Sequence, residues 1–531
     1  MVIPFFATGQ QGKSHTVTAQ RHVNLYAEVT ADKSQLAFYG TPGTTLRKSL
    51  GDRPLRGWIA VDDLYYLVHV GTFYSVNNSG TTTTLGTFST STGRVDMSYD
   101  GSTILIVDGT SIYAYSLTYS TFFQVEQVAT GTTTSTTGGK LVDSAGTFTT
   151  DGTKAGMMAY NTTDGTQSII SAVDSATTLS VVDDVFPTAK AYTIGPDFVP
   201  DGANTCTWLD GQFSVDGGDD SERFYISPDG VSWDALDFAS AESNPDGLVR
   251  VFADNGEVVL FGENTTEYWG NTGALDFPFA AIKGSTQEIG LAARWSLCKF
   301  NSGLAALMKP SGGQTQVMFI SGYVPKPIST QEMDSIINGY ATVSDATAYS
   351  YMLGGHPMLQ INFPSVEKSW LFDASTGMWS ALEYGLSGAR HRGEMQLDYL
   401  NKTIIADYET GDIYNLDADT YTDNGTAIAR EIVSRHVFQG NKRIPVSQIY
   451  VDMQVGVGLA TGQGSNPQVM LQVSKTNGAT WGAELWRDLG AVGKYLQRVV
   501  WRRLGIGRDW LFKLRVTDAV KVVFVFGDLN D

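Results

Sequence analysis

The chain has 531 residues, with 36 lysines and arginines against 55 aspartates and glutamates, and its formal charge is −19 at pH 7. Proteins that bind free DNA draw affinity from clustered basic residues that release counterions from phosphates, so a chain this acidic is not expected to bind DNA. Charged residues make up only 17% of the sequence whereas glycine occurs 57 times, which favours strands and tight turns over helices.

The N-terminal segment, residues 1–56, begins with an apolar stretch at 1–7 (Met-Val-Ile-Pro-Phe-Phe-Ala). This stretch lacks the basic region of a signal peptide and is too short for one. Two alternating stretches follow, at 21–26 and 35–39. We predict that they complete the last sheet of a ring of sheets, because closing a ring removes exposed strand edges.

Short runs rich in Val, Ile, Tyr, Phe and Thr follow, separated by Asp-Gly, Asn-Gly or Gly-Gly pairs. This pattern is typical of antiparallel strands joined by hairpin turns. The hairpins recur in units of roughly 30 to 45 residues, the period of a four-stranded β-propeller blade. We therefore predict an all-β fold with a six- or seven-bladed β-propeller, its first part at 57–130 and its second at 197–425. The predicted blades lie near 57–88, 92–126, 203–239, 246–284, 288–329, 340–385 and 388–420.

Residues 131–196 interrupt this rhythm and are dense in Thr, Ser, Gly and Asp. Spaced apolar groups such as Ser-Ile-Ile at 168–170 and Thr-Leu-Ser-Val-Val at 178–182 argue against a disordered linker. We predict a small β-barrel inserted between two blades, a knob whose role the sequence leaves open.

The sequence contains few segments with a helical pattern. One helix is predicted over 331–338, because Ser329 and Glu332 have the spacing of a capping box. Beyond it, residues 426–531 contain longer alternating strands, such as 448–455 and 511–516, and these predict a C-terminal domain like a β-sandwich.

No motif of catalysis emerges. The six histidines, at 15, 22, 69, 356, 391 and 436, include no pair at the helical spacing of zinc proteases, and no nucleophile elbow or phosphate-binding loop occurs. Cys206 and Cys298 are too few for a disulfide framework or a metal quartet. The acidic runs 216–222 and 417–423 are interpreted as solvated turns rather than calcium sites. We expect no catalytic residue, no bound metal and no cofactor.

One turn leaves an enzymatic alternative open. Residues 474–481 (Ser-Lys-Thr-Asn-Gly-Ala-Thr-Trp) resemble the Asp-box hairpin of sialidase propellers. A sialidase also needs three arginines around a carboxylate, and nothing marks such a triad among the blade arginines, which include Arg223, Arg250, Arg294, Arg390 and Arg392. A propeller that binds or hydrolyses glycans is therefore the alternative hypothesis, and a monomeric interaction scaffold is a third.

Charge is unevenly distributed along the chain. Residues 430–521 hold 14 lysines and arginines against 6 acidic residues, whereas the rest of the chain has a balance of −27. A basic module on an acidic body indicates either nucleic-acid binding or an interface. We favour an interface, because the arginines alternate with aromatic residues as at protein contacts. The candidate subunit or adaptor interface comprises Arg498, Trp501, Arg502, Arg503, Arg508 and Trp510.

The same region carries a specific series of motifs. It runs through Asn477, Gly478 and Trp481, Leu489 and Gly490, and then Arg-Val-Val-Trp-Arg-Arg-Leu-Gly at 498–505 before Arg508 and Asp509. Other stretches match as well: Asn-Leu-Tyr at 24–26, Trp-Leu-Phe-Asp at 370–373, and Tyr-Thr-Asp-Asn-Gly at 421–425. With these motifs the chain resembles the packaged-DNA stabilisation family of short-tailed bacteriophages, also called tail accessory or nozzle proteins.

This resemblance implies a virion protein of the phage tail, made in the host cytoplasm, that acts in a homo-oligomeric ring of six subunits below the portal and its adaptor. Such rings keep the packaged genome in the capsid and conduct it out. The expected partners are portal and adaptor proteins, tail needle, fibre or tailspike proteins, and DNA that passes without specific binding. An acidic lining suits such a conduit, because it repels phosphates. We expect part of the acidic body to face the lumen.

Overall fold

A computed structural model gives the fold, and it describes residues 2–3, 5, 12–29, 36–241, 246–275 and 277–530. Strands dominate, and the only α-helix in the described part of the chain is Gln331–Ile337. The predicted all-β class is therefore confirmed. The chain forms two compact units, a larger unit of residues 1–51 with 292–531 and a middle unit of residues 52–291.

The middle unit contains four antiparallel sheets of four strands, in each of which every strand pairs with the next along the chain. The strands are Leu55–Val61, Leu64–His69, Thr72–Asn77 and Thr82–Thr87; Asp96–Tyr99, Thr103–Val107, Ile112–Ser116 and Thr121–Gln124; Cys206–Leu209, Gln212–Asp216, Arg223–Ser227 and Phe238–Ser240; and Leu248–Asp254, Glu257–Gly262, Thr266–Asn271 and Phe279–Ala281. A further strand, Ile289–Leu291, ends this unit.

Alternation within one strand explains how these sheets pack. In Thr103–Val107, Ile104 and Ile106 are buried with residues of the preceding sheet, whereas Leu105 and Val107 are buried with residues of the sheet that begins at Cys206. Because successive side chains point to opposite faces, a strand that is apolar throughout fits a sheet covered on both sides. This is the packing expected of neighbouring propeller blades.

The inserted segment folds into a seven-stranded antiparallel sheet. In spatial order its strands are Ala129–Thr132, Ala191–Ile194, Met158–Asn161, Thr166–Ser175, Thr178–Val181, Lys140–Val142 and Ser135–Thr137. Leu141, Phe148, Ile170, Leu179 and Phe186 are buried in its core. This polar segment therefore forms a sheet with buried apolar residues, and its closure into a barrel stays a prediction.

The larger unit contains further sheets of the same kind. Their strands are Cys298–Phe300, Gly303–Pro310, Gln316–Ser321 and Val324–Pro327; Thr347–Leu353, His356–Phe363, Lys368–Asp373 and Met378–Tyr384; and Gly393–Tyr399, Lys402–Asp407 and Asp412–Asp417. The short pieces Ala389–Arg390, Thr422–Asp423 and Thr426–Ala427 extend two of them, and 3-10 turns lie at Arg294–Ser296 and Pro364–Val366.

The strand that completes the last of these sheets comes from the N-terminal segment. It is Gly43–Ser49, which pairs antiparallel with Asp412–Asp417. The prediction that 21–26 and 35–39 fill this place is wrong, because those strands have other partners. Leu25–Val29 and Leu36–Gly40 pair with each other, and the latter pairs with the last strand of the chain; Gln35 lies outside the described residues.

The C-terminal region forms two sheets around one core. The first sheet has the order Leu25–Val29, Leu36–Gly40, Val523–Asn530, Ile444–Met453 and Val499–Gly507, with Val2–Ile3 beside Val523–Asn530. The second continues from Met378–Tyr384 through Arg21–Val23, Arg430–Val433, Asp509–Val516, Gln468–Ser474 and Leu485–Asp488, with Val437–Phe438 beside Asp509–Val516. Apolar side chains of both sheets are buried together, as in a β-sandwich.

The predicted helix is confirmed, but its cap is a different residue. Thr330 has extended dihedral angles and its hydroxyl accepts a hydrogen bond from Met333 N at 3.3 Å, as an N-cap residue does. Ser329 lies one residue too early to cap the helix, and its hydroxyl donates to Asp334 at 2.5 Å instead.

A buried arginine joins the N-terminal strands to the sandwich. Arg430 is fully buried and packs directly against Gly40, where an added Cβ would lie 2.7 Å from the arginine Cδ and closer still to Nε. Its Nη2 donates to Thr41 O at 3.4 Å. Only glycine leaves room here, so the close approach of backbone and guanidinium requires this residue type.

We expect Gly40→Ala to lower the free energy of unfolding by about 1–3 kcal/mol, because overpacking displaces Arg430. Gly482→Ala is the control, since its Cβ would meet no atom closer than Val473 O at 3.4 Å and should change stability by less than about 0.5 kcal/mol. Urea unfolding of both variants makes the comparison, and equal effects would contradict the close packing at Gly40.

Two buried histidines make stability depend on pH. Burial lowers the pKa of His22 and of His391 from 6.5 to about 4, so between these values the unfolded chain binds more protons than the folded chain. Stability present above pH 6.5 is therefore lost as the pH falls toward 4, by about 3 kcal/mol for each histidine. We expect the free energy of unfolding of His391→Gln to fall less steeply between pH 6.5 and 4 than that of the unmodified chain, by roughly the contribution of one histidine. An unchanged slope would show that His391 titrates normally.

Candidate functional site

The arginine-rich stretch forms Val499–Gly507, the edge strand of the first sheet of the sandwich. It pairs with Ile444–Met453, and the register shifts within this pairing. The shift leaves an extra residue in the edge strand, a β-bulge, where Arg503 adopts a positive φ of 62°. Because a bulge interrupts the alternation of faces, Arg502 and Arg503 are both exposed.

The two tryptophans of the candidate interface lie in the core of the sandwich. Trp501 and Trp510 are fully buried. The indole of Trp501 donates to Leu485 O at 2.7 Å, and that of Trp510 donates to Ile444 O at 3.2 Å. Their rings therefore hold the arginine-bearing strand in place and do not face solvent. Alternation of aromatic and basic residues indicated an amphipathic strand, and the sequence alone did not show which face is covered.

The four arginines of the candidate interface lie at the surface. This set is called the arginine face and consists of Arg498, Arg502, Arg503 and Arg508. Arg502 donates to the side-chain oxygen of Gln448 at 3.2 Å. In the described part of the chain, no carboxylate lies within ion-pair distance of any of the four. Guanidinium groups presented in this way are suited to bidentate contacts with carboxylates of another molecule.

An apolar loop that was not predicted from the sequence precedes the strand of the arginine face. Residues 491–498, here called the C-terminal arm, precede the edge strand and are exposed or half-buried throughout. Gly493 N donates to Gly456 O at 3.2 Å, and Gly456 N donates to Leu489 O at 2.9 Å, so the sandwich anchors the arm through its backbone. The arm nevertheless leaves large apolar side chains in solvent, namely Val492 at 63%, Tyr495 at 71% and Leu496 at 97% exposure.

Two further large apolar residues of this domain are exposed. Trp486 is 47% exposed and Ile506 is 58% exposed. Contiguous exposed apolar groups mark interaction sites, and tryptophan, tyrosine and arginine are the residues that dominate binding energy at protein contacts. The surface formed by the C-terminal arm and the arginine face therefore has the composition of a protein interface. The signal in the sequence was the run Tyr495, Leu496 shortly after Gly490 and Gly493.

Side chains cover the free backbone edge of this strand. Arg487 Nε donates to Val500 O at 2.7 Å, and Lys475 Nζ donates to Leu504 O at 2.8 Å. Lys475 also lies 4.6 Å above the ring of Trp510. Positively charged groups on an edge strand discourage pairing with a strand of another molecule. We therefore expect binding at this surface to proceed through side chains rather than through an added strand.

Several other residues considered for chemistry make hydrogen bonds or ion pairs within the chain. In the turn that resembles an Asp box, the Ser474 hydroxyl accepts a hydrogen bond from Gly478 N at 3.0 Å, so this turn is a packed hairpin. Arg390 and Arg392 each pair with acidic side chains. Over the residues that the structure describes, no three His, Cys, Asp or Glu side chains are placed to hold a metal ion. Likewise, no described helix has the length and apolarity to cross a membrane.

Taken together, blade-like sheets packed face to face and a two-sheet C-terminal domain define a β-propeller protein with a C-terminal β-sandwich. The family model described as "Bacteriophage P22 Gp10, beta-propeller" matches residues 1–158 and 135–421, and the model "Bacteriophage P22 Gp10, beta-sandwich" matches residues 429–528. The chain belongs to the bacteriophage P22 Gp10 family. This confirms the predicted resemblance and fold class, whereas the blade number stays a prediction.

A curated relative is the tail hub protein gp10 of Salmonella phage P22, which is 25% identical over 286 residues. The match covers 52% of this chain and 58% of that protein, so it spans little more than half the length of the relative. The glycan-binding alternative is not favoured by this relative.

Solved structures similar to the chain include the Pan2 WD40 domain of Neurospora crassa, at 7% identity and a TM-score of 0.37, covering 71% of this chain and 96% of that one. The WD40 β-propeller domain of Doa1 is similar at 12% identity and a TM-score of 0.34, covering 70% of this chain and 97% of that one. Likenesses this weak say nothing about function.

The different roles of Trp501 and Arg502 are testable. We expect Trp501→Ala to lower the free energy of unfolding by about 3–5 kcal/mol, because it opens a cavity in the core and removes a hydrogen bond. Arg502→Ala, one residue away on the surface, should change it by less than about 0.5 kcal/mol. Chemical denaturation gives both values. A small effect of Trp501→Ala would place its ring outside the core.

Proposed function

We propose that the chain is a structural protein of a bacteriophage tail, a nozzle or hub located in the virion. In this role identical subunits form a ring, six-fold in the resemblance described above, that prolongs the portal–adaptor channel. The ring retains the packaged genome and conducts it during ejection. The proposal rests on membership in the P22 Gp10 family, in which a curated relative is a tail hub protein.

The surface of the C-terminal arm and the arginine face supports assembly into a larger structure. A subunit of a closed ring needs two different surfaces, one for each neighbour. The arm supplies apolar anchors such as Tyr495 and Leu496, and the arginine face supplies cations. The acidic remainder of the chain, at −27, offers complementary charge. Subunit contact and docking on the adaptor above are the two uses of this surface that we propose.

The negative net charge of the chain is suited to the passage of DNA. A duplex slides through a channel only if phosphates find no array of cations to bind, since each neutralised phosphate adds affinity. An acidic lumen meets this requirement without any specific contact. In this function the chain needs no catalytic residue and no cofactor, and portal, adaptor, needle, fibre or tailspike proteins are its proposed partners. The inserted module, residues 131–196, is a proposed outward knob.

A double variant of the arm tests the assembly role. We expect Tyr495→Ser with Leu496→Ser to leave the melting temperature nearly unchanged, because both side chains are exposed, yet to reduce incorporation into tails at least tenfold, since two interface anchors are lost. Complementation of phage that lack the chain, with counts of tailed particles and of DNase-sensitive genome, measures this. Leu275→Ser is the control, because Leu275 is fully exposed on a connection in the middle unit. Normal particle yields with the double variant would overturn the assigned role of the arm.

A further inference from the structure

A small polar cavity lies in the larger unit, beside the sheet that the N-terminal strand completes. Its volume is about 200 Å³, and its wall includes Arg392, Asp407, Asp412, Tyr414 and Asp423. This volume is below that of ordinary ligand pockets, which begin near 300 Å³. Asn424, which is exposed, also lines the cavity, so the space communicates with solvent. A single side chain or a small ion fits here, and a drug-sized molecule does not.

Two of the three cavity carboxylates, Asp412 and Asp423, receive few side-chain donors. Asp407 is satisfied, because it accepts from Glu409 N at 2.7 Å and from the Tyr414 hydroxyl at 2.9 Å. The same hydroxyl lies 3.4 Å from Asp412, but it has one proton, which the shorter bond uses. Asp412 therefore receives no strong side-chain donor from the cavity wall.

The lack of hydrogen-bond donors is clearest at Asp423. It is only 4% exposed, and its Oδ1 has no hydrogen-bond partner among the described residues. Burial raises the pKa of Asp423 to about 7, against the charge of Arg430 and a hydrogen bond with Thr44, which both favour the ionised form. An unpaired buried acceptor carries a desolvation cost that an incoming donor would remove.

Inside the chain, Arg430 acts on Asp423 through its charge, but Arg430 Nε and Nη1 and Asp423 Oδ1 all lack hydrogen-bond partners among the described residues. A cation with several divergent N–H donors would supply, from the cavity side, the donors that Asp412 and Asp423 lack. Three aspartates and one arginine line the cavity, and that arginine is already paired with Glu409 and lies 3.6 Å from Asp407. Among the described residues, no three carboxylates are close enough to share one metal ion. A guanidinium group spans a wider gap, because its five N–H donors point outward in a planar fork.

We propose that this cavity receives the guanidinium group of an arginine from a second copy of the chain, through hydrogen bonds to Asp412 and Asp423. The arginine face supplies exposed guanidinium groups without intramolecular carboxylate partners among the described residues, so the two surfaces complement each other in charge. A contact of this kind joins different surfaces of neighbouring copies, as a ring requires. The identity of the donor rests on the proposed function, whereas the chemistry of the cavity does not.

Binding of a free probe tests the cavity in the full chain. Arginine amide should bind saturably, as followed by saturation-transfer NMR, and citrulline amide, its neutral isostere, should not. Asp423→Asn and Asp412→Asn should each weaken binding at least tenfold, because each removes a charge-assisted hydrogen bond. Both variants are nearly isosteric, and thermal melting checks that they fold. Asp419→Asn, at an exposed neighbouring turn, is the matched control and should bind normally. Equal binding of the two amides, or unchanged binding by Asp423→Asn and Asp412→Asn, would overturn the proposal.

Cross-linking tests the source of the guanidinium. Asn424→Cys at the mouth is combined in turn with cysteine at each of the four positions of the arginine face, and oxidation is carried out on assembled tails. A disulfide between copies in one combination supports a second copy as the donor, and none in assembled rings overturns that donor. If no ring forms, the proposed function fails, and the arginine amide titration still decides the chemistry of the cavity.

Discussion

The larger unit depends on strand pairing between the first fifty residues and the end of the chain. Gly43–Ser49 completes the sheet that ends at Asp412–Asp417, and Leu36–Gly40 pairs with Val523–Asn530. Unpaired edge strands promote aggregation. Both sheets therefore need these N-terminal strands to avoid pairing with other molecules. Arg430, packed on Gly40, fixes the approach of the two ends. Contacts so distant in sequence are costly to form, because they close long loops.

The two ends of the chain also explain where the proposed interaction surface lies. Once the N-terminal strands occupy one edge of the first sandwich sheet, Val499–Gly507 is left at the other edge. Arg487 and Lys475 cover its free carbonyl groups, which leaves side chains as the means of recognition. The bulge at Arg503 then turns neighbouring arginines outward. The edge position of the strand, its bulge and the anchored arm together leave cations and apolar groups exposed in this domain.

Much of the fold was predictable from local patterns. Alternating apolar runs and Asp-Gly turns located the sheets, and the charge split between residues 430–521 and the rest indicated the candidate interface, which stays a prediction. Pairing partners were not predictable, because 21–26, 35–39 and 43–49 are all short β-prone stretches and only tertiary packing decides which sheet each joins. The burial of Trp501 and Trp510 could not be predicted for a related reason. Alternation shows that a strand has two faces, but it does not tell which face is covered.

A cryo-electron microscopy reconstruction of the tail in the intact virion tests the central claim most directly. We expect a ring of copies of this chain with acidic side chains along its lumen, and with Tyr495, Leu496 and the arginine face buried against a neighbouring copy or the adaptor. A lumen lined by basic side chains, or an arm and arginine face that both remain in solvent, would contradict the assignment of this chain as an assembled, non-binding conduit for DNA.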